Sequence, residues 1–164
     1  MRVLSVFMAC AAALATAANG AVLVTFKEPE KYLDAGRFRM ETPRVLAELE
    51  RHLQDLGTRY LRSDQTLKIE VLDVDLAGDE EMRRSPGQDV RILRGGADWP
   101  RIRLRFVLEG GDKPAVSGEE NLSDMNYLQR PYTVRSNESL AYEKRMLEDW
   151  FKAKFRPPTG AAAK

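Results

Sequence analysis

The sequence predicts an α+β protein, with a mostly antiparallel sheet of about five strands and two helices packed on one face. Segments of alternating apolar and polar residues, typical of strands, recur between residues 22 and 122. Two longer segments carry apolar residues at spacings of three and four, as amphipathic helices do. The order strand, helix, run of strands, helix favours antiparallel pairing over regular crossovers.

The first twenty residues have the pattern of a secretory signal peptide. Arg2 precedes an apolar run from Val3 to Ala15, and small residues follow this run. The run is shorter than the roughly 20 apolar residues of a membrane-spanning helix, so we expect cleavage before Ala18 or before Ala21. The sequence therefore predicts export, with no membrane span left after cleavage.

The chain that remains after cleavage is nearly neutral and contains no cysteine. The whole sequence holds 26 Lys and Arg against 25 Asp and Glu, and Arg2 leaves with the leader. A nucleic-acid binder needs a surplus of positive charge, so we expect no nucleic-acid partner. The single cysteine, Cys10, lies in the leader, and its neighbours match a lipoprotein signal poorly. We therefore expect no lipid anchor, no disulfide and no thiol site.

After the leader, residues 21–155 predict a single domain, because a chain of about 140 residues can bury the core of one domain. Residues 156–164 contain prolines, glycine and alanines and have nothing to bury, so we expect a disordered tail.

The first half of this domain predicts a strand, a helix and a long strand. Residues 22–26 alternate as an edge strand does. Thr42 is a suitable N-cap, and Pro43 suits the first position of a helix that continues to about Leu61. Residues 66–76 have apolar side chains in both alternate sets, which predicts a central strand covered on both faces toward its end.

The second half predicts three strands and a helix. A charged loop is expected at residues 79–88, followed by a short strand at 90–93. The clearest alternation in the chain, at 102–108, predicts a strand that pairs with residues 115–122. The last helix is expected to begin near residue 136 or 137, since Ser136 and Asn137 are both good N-caps, and to dock by its aromatic end.

Three aspartates near the end of the central strand are candidate metal ligands. Asp73 and Asp75 alternate in the strand and so point to the same side, and Asp79 follows after Gly78. Hard cations such as Ca²⁺ and Mg²⁺ prefer carboxylate oxygens. The alternative is that these acids face solvent or pair with arginines of neighbouring segments.

Three arginines on one face of a predicted strand form the second candidate. Arg101, Arg103 and Arg105 repel one another unless acids or an anionic ligand neutralise them. An anionic small molecule is one explanation. Cross-strand pairing with Glu109 and Glu119, or with the aspartates of the central strand, is the other.

Two polar and aromatic segments outside regular structure are candidate binding loops. One contains Asp98 and Trp99, and the other contains Asp124, Asn126 and Tyr127. An aromatic ring flanked by hydrogen-bonding groups is common in binding sites. The same segments could instead plug the edge of the sheet, with Asp124 and Asn126 capping turns.

The sequence contains no catalytic motif. His52 is the only histidine, and no nucleophile with a suitable base accompanies it. We therefore expect a non-enzymatic binding or accessory domain of the cell envelope, without a cofactor, whose partner is an envelope protein or an anionic small molecule. The alternative is a divalent-metal-dependent envelope enzyme that uses Asp73, Asp75 and Asp79.

Five segments along nearly the whole chain after the leader resemble the motifs of one family. They are Phe26–Tyr32, Asp73–Gly78, Arg91–Arg94 with Asp98–Ile102, Leu122–Tyr127 and Tyr142–Leu147. In this order they are similar to an uncharacterised proteobacterial family, domain of unknown function 3016. The resemblance implies an exported protein of a Gram-negative cell. It implies no activity, ligand or catalytic residue.

Overall fold

The computed structural model describes five stretches of the chain. They are residues 20–36, 41–82, 89–111, 113–129 and 138–155. Residues 1–19 of the expected leader and the expected tail 156–164 lie outside them. Within the described residues, no helix is both long enough and apolar enough to cross a membrane.

In the part of the chain that the structure describes, the fold consists of two α-helices and six strands, besides one short 3-10 helix. They are β1 (Ala21–Phe26), α1 (Thr42–Tyr60), β2 (Gln65–Asp75), β3 (Asp79–Met82), β4 (Asp89–Ile92), β5 (Arg101–Gly110), β6 (Val116–Ser123) and α2 (Ala141–Phe155). The central sheet has the order β1-β2-β5-β6. The α+β class is confirmed.

The central sheet is mixed rather than purely antiparallel. β1 runs parallel to β2, whereas β2 with β5 and β5 with β6 are antiparallel. The parallel pair follows from the order of elements, because α1 carries the chain back across the sheet between β1 and β2.

The prediction of about five strands needs one correction. Four strands form the central sheet, and the predicted short strand becomes β4 in a separate two-stranded sheet with β3. β3 lies at 79–82, where the sequence predicted a loop. Its residues lack apolar alternation, so only their backbone pairing with β4 marks them as a strand.

The apolar residues in both alternate sets of β2 result from a β-bulge. The register with β5 shifts between Val71 and Asp73, which leaves Leu72 as the extra residue. The alternation therefore changes phase, so Ile69 before the bulge and Val74 after it are both buried in the same core. The prediction that both faces of this strand are covered toward its end is therefore wrong.

Helix α1 packs closely on β1. Leu49, Leu53 and Leu56 are buried, as the predicted stripe requires. A Cβ atom on Gly57 would lie 2.2 Å from Cγ2 of Val22, so only glycine permits this approach. The N-cap is Glu41, one residue earlier than predicted.

Helix α2 begins at Ala141, later than the predicted start at Ser136 or Asn137, which lie outside the described residues. Leu140 has a positive φ of 54°, which ends the helical geometry on its N-terminal side. The aromatic end docks as expected, because the ring of Trp150 meets the ring of Phe106 edge-on at 5.7 Å. Both helices thus cover one face of the central sheet.

Candidate functional site

The face of the central sheet opposite the two helices, termed the open face, carries five of the eleven predicted site residues. Its side chains come from alternate positions of all four strands, while the intervening positions are buried in the core. The outward residues that matter below are Leu23, Lys68, Glu70, Asp73, Asp75, Arg101, Arg103, Arg105, Val107 and Glu119.

Two of the three arginines on the open face are neutralised by acids of neighbouring strands. Arg101 donates to Asp75 with an Nη1–Oδ2 distance of 2.5 Å. Arg105 donates to Glu119 at 2.8 Å and lies 3.5 Å from Glu70. Partial burial raises the pKa of the Asp75 carboxyl, although Arg101 beside it acts in the opposite direction. Cross-strand pairing therefore accounts for Arg101 and Arg105.

Arg103 differs from both of its neighbours. Its register partner on β2 is Asp73, but the Oδ1 atom of Asp73 accepts hydrogen bonds from the backbone N–H groups of Leu33 and Val74, each at 3.0 Å. Among the residues that the structure describes, none forms an ion pair or hydrogen bond with the Arg103 guanidinium. The bulge in β2 is the cause, because it places Asp73 against backbone instead of against arginine.

Next to this bulge, the chain makes a detour that brings a second basic residue, Lys27, to the same groove as Arg103. After β1, residues 27–33 leave the sheet through a short 3-10 helix at Pro29–Lys31. The chain returns at Asp34, which forms a bridge with Asp75. The hydroxyl of Tyr32 donates to the carbonyl of Val71 at 2.8 Å and anchors the detour.

The detour and strand β5 line a groove of about 340 Å³, which we call the cationic groove. Its charged lining residues are Lys27, Glu28, Lys31, Asp73, Arg103, Arg105 and Glu119. Glu28 is paired with Lys31 across one turn of the chain. The ammonium group of Lys27, like Arg103, forms no ion pair or hydrogen bond with a described residue. Within the described residues, the groove thus presents two basic groups outside any ion pair, beside the Asp73 carboxylate, which accepts hydrogen bonds from backbone N–H groups.

The three predicted metal ligands are not brought together. Asp73 lines the cationic groove, whereas Asp75 and Asp79 line a different groove of about 490 Å³ with Asp34 and Asp98. Asp79 pairs with Arg94 at 3.0 Å. Within the described ranges, no group of three or more His, Cys, Asp and Glu side chains is arranged to hold a metal ion. The metal hypothesis stays a prediction.

The two aromatic segments lie at the end of the sheet and differ in exposure. Trp99 is half-buried, and the guanidinium of Arg101 lies 4.4 Å from its ring centroid. Tyr127 is only 1% exposed, and burial raises its pKa to about 12. Its hydroxyl accepts a hydrogen bond from the backbone N–H of Gly95 at 3.3 Å, which ties it to the loop before Asp98. A partner could reach Trp99 but not the ring of Tyr127.

The segment around Tyr127 is also tied to α2. Asp124 is buried and pairs with Arg145 of α2 at 2.9 Å, and the same guanidinium donates to the carbonyl of Tyr127 at 2.8 Å. The backbone N–H of Asn126 donates to Asp124 at 3.2 Å, so Asp124 caps the turn as predicted. These contacts hold the segment over the end of the sheet.

Sequence reasoning missed Glu143, the most deeply buried carboxylate among the described residues. It is 3% exposed, accepts a hydrogen bond from the N–H of Ala77 at 2.8 Å and lines a cavity of about 770 Å³. Burial raises its pKa, and the charge of Arg91 opposes this effect. Glu143 lies three residues after Leu140 and four before Leu147, inside the apolar stripe of α2, and this spacing was the available signal.

Comparison with known families gives one match. The model of the family described as Protein of unknown function (DUF3016) matches residues 20–153. The chain belongs to this family. No curated protein and no solved structure matches the chain. The DUF3016 region contains every strand and both grooves described above, and all but the last two residues of α2.

Within the DUF3016 domain, three of the five segments that carry the sequence resemblance meet at one end of the sheet. Glu143 binds the backbone of Ala77, and Arg91 donates to the carbonyls of Ala77 and Gly78 at 3.1 and 3.0 Å. The N–H of Gly78 donates to the carbonyl of Asp98 at 2.8 Å. These contacts fix the loop that follows β2, and β2 in turn carries Asp73 to the cationic groove.

Proposed function

We propose that this protein is exported and acts in the envelope of a Gram-negative cell as a non-enzymatic domain that binds an anionic ligand in the cationic groove. Export is supported by Arg2 and by the apolar run Val3–Ala15 of the leader pattern. The family match starts at residue 20, directly after this pattern.

The observation that carries the proposal is that Lys27 and Arg103, in one groove, form no ion pair or hydrogen bond with a described residue. Every other base that lines this groove already has an acidic partner. Charge-assisted hydrogen bonds are the stronger hydrogen bonds of proteins, and a guanidinium can bind a phosphate or carboxylate through two parallel bonds. An anion with several oxygens would therefore satisfy Arg103 and Lys27 together.

His52 and Glu143 are the two strongest candidates for acid–base chemistry, and their surroundings support a binding role of the protein over a catalytic one. The Nε2 atom of His52 lies 2.9 Å from the carbonyl oxygen of Lys144, so it is engaged in joining α1 to α2. Burial lowers the pKa of His52, which favours its neutral form. Glu143 holds the backbone of Ala77. Among the described residues, no hydrogen bond links either group to a serine, threonine or other nucleophile.

Titration of the purified protein with inorganic phosphate, followed by NMR chemical shifts, tests the binding site. We expect Arg103→Gln to weaken phosphate binding by about tenfold, which corresponds to about 1.4 kcal/mol. Arg101→Gln is the matched control, because Arg101 lies on the same face of the same strand, outside the groove, and is already paired with Asp75. Thermal unfolding of each variant confirms that it is folded.

Two outcomes contradict the binding proposal. One is a wild-type protein whose groove resonances do not respond to phosphate. The other is an equal loss of affinity in Arg101→Gln and Arg103→Gln, which would indicate unspecific attraction by surface charge.

Export is tested separately by fractionation and N-terminal sequencing. We expect a periplasmic protein that starts at Ala18 or Ala21. An intact chain in the cytosol would contradict the export proposal.

A further inference from the structure

The open face carries a second groove beside the cationic groove, and its exposed lining is mostly apolar. This groove, which we call the apolar groove, has a volume of about 390 Å³. Leu23, at 54% exposure, and Val107 contribute apolar side chains to it, and Thr25, Lys68, Glu70 and Arg105 also line it.

The two basic residues of the apolar groove offer their aliphatic stems rather than their charges. Lys68 is paired with Glu109 at 2.7 Å, and Arg105 with Glu119 at 2.8 Å. Because the charged ends of Lys68 and Arg105 are already neutralised, they do not require a charged ligand. Its exposed Leu23 lies on the edge strand β1, which has no charged residue. An apolar group would remove this surface from water.

The two grooves are neighbours along β5. Arg105 lines both of them. Val107 in the apolar groove and Arg103 in the cationic groove are four residues apart on the same face of the strand. At the rise of an antiparallel strand, this separation is about 13 Å.

We propose that the anionic ligand is a single-chain amphiphile, with its head at Lys27 and Arg103 and its alkyl chain lying across Arg105 into the apolar groove. This inference rests on the proposed function, since the head is the anion of that proposal. Charge complementarity fixes the orientation, because Lys27 and Arg103, which form no ion pair with a described residue, lie at one end only. The separation of the grooves excludes short chains from the apolar groove.

A series of phosphates of different chain length tests the inference. Inorganic phosphate, butyl phosphate and decyl phosphate are titrated into the purified protein below the micelle concentration. We expect butyl phosphate to bind within about twofold of phosphate, since four carbons do not span about 13 Å. Decyl phosphate should bind at least about tenfold more tightly, because each buried methylene contributes up to about 0.8 kcal/mol.

Substitutions in the apolar groove should remove this gain alone. In the double variant Leu23→Thr with Val107→Thr, decyl phosphate should lose most of its advantage, while phosphate should bind as in the wild type. Val116→Thr is the matched control, because Val116 is also 54% exposed and lies on the other edge strand, outside both grooves.

Three results would overturn the amphiphile while leaving the anion site in place: no gain with decyl phosphate, an unchanged gain in the double variant, or equal binding of decyltrimethylammonium. Binding to phosphatidylglycerol vesicles without a gain for monomeric decyl phosphate would also overturn it, in favour of a membrane surface. Failure of phosphate itself to bind contradicts the proposed function first, so the two failures are distinguishable.

Discussion

The two faces of the central sheet are built from the same four strands but are organised by different forces. On the covered face, apolar side chains such as Leu104 and Phe106 are buried against the helices. On the open face, the intervening residues of β5 are arginines whose partners depend on the register with β2 and β6. Burial thus determines stability on one face, whereas pairing on the other determines which charges remain available.

The largest expected effect compares adjacent residues of β5 on opposite faces. Leu104 is fully buried, and Leu104→Ala should lower the free energy of unfolding by about 3 kcal/mol, through lost burial and the cavity left behind. Arg105→Gln should leave it nearly unchanged, because exposed ion pairs contribute little. Urea unfolding of both variants measures this difference. A similar loss in both variants would show that the open face is also a packing surface.

The next effect examines how tightly the covered face is packed. Gly57→Ala should destabilise the protein by about 1–2 kcal/mol, since the clash with Val22 outweighs the better helix propensity of alanine. Thr58→Ala, at the next and exposed position of α1, is the control.

A second-site change tests the cause of this loss. Val22→Ala removes the clashing methyl groups, so adding it should cost the Gly57→Ala protein less than it costs the wild type. Equal costs of Val22→Ala in both backgrounds would contradict the close approach of α1 and β1. Thermal and urea unfolding of the four proteins give the comparison.

The covered face could be predicted from the sequence, because burial leaves a periodic signal. The alternation at 102–108 and the stripe of α1 led to β5 and to the docked helix. The start of α2 could not be predicted, since Ser136 and Asn137 are good caps and only the backbone of Leu140 places the start later. The sequence of β3 shows no apolar alternation, so this strand could not be predicted either.

The open face could be predicted only in part. Alternation placed three arginines on one side of β5, and the alternative of acidic partners was correct for Arg101 and Arg105. That Arg103 has no partner among the residues the structure describes depends on the bulge at Leu72 and on the detour at residues 27–33. Both are features of backbone register, which side-chain periodicity does not reveal. Hence the cationic groove emerged only from the structure.

The third prediction concerns the buried carboxyl group of Glu143, at the end of the covered face. Burial raises the pKa of Glu143 in the folded protein above its unfolded value, although Arg91 opposes this and Asp34 adds to it. The folded state therefore binds the proton more tightly, and this contribution to stability is present at low pH and lost as pH rises through the folded pKa. Glu143→Gln should thus gain stability relative to the wild type between pH 4 and pH 7.

Thermal unfolding across this pH range measures the difference, with Glu50→Gln on α1 as the control. Glu143→Ala should be destabilising at every pH, because the N–H of Ala77 then loses its acceptor. A constant difference between Glu143→Gln and the wild type would contradict a raised pKa. It would also show that the N–H of Ala77 and the charge of Arg91 together compensate fully for burial.

The smallest expected effect separates the anion-binding proposal from the metal-dependent alternative on the open face. A metal that binds the folded state raises its stability by RT ln(1 + [L]/Kd), so millimolar Ca²⁺ or Mg²⁺ would raise the melting temperature measurably if Kd were micromolar. We expect no such shift, because Asp75 and Asp79 already pair with Arg101 and Arg94. A shift that disappears in Asp79→Asn would favour the metal enzyme and assign the aspartates, rather than Arg103, as the functional charges of this protein.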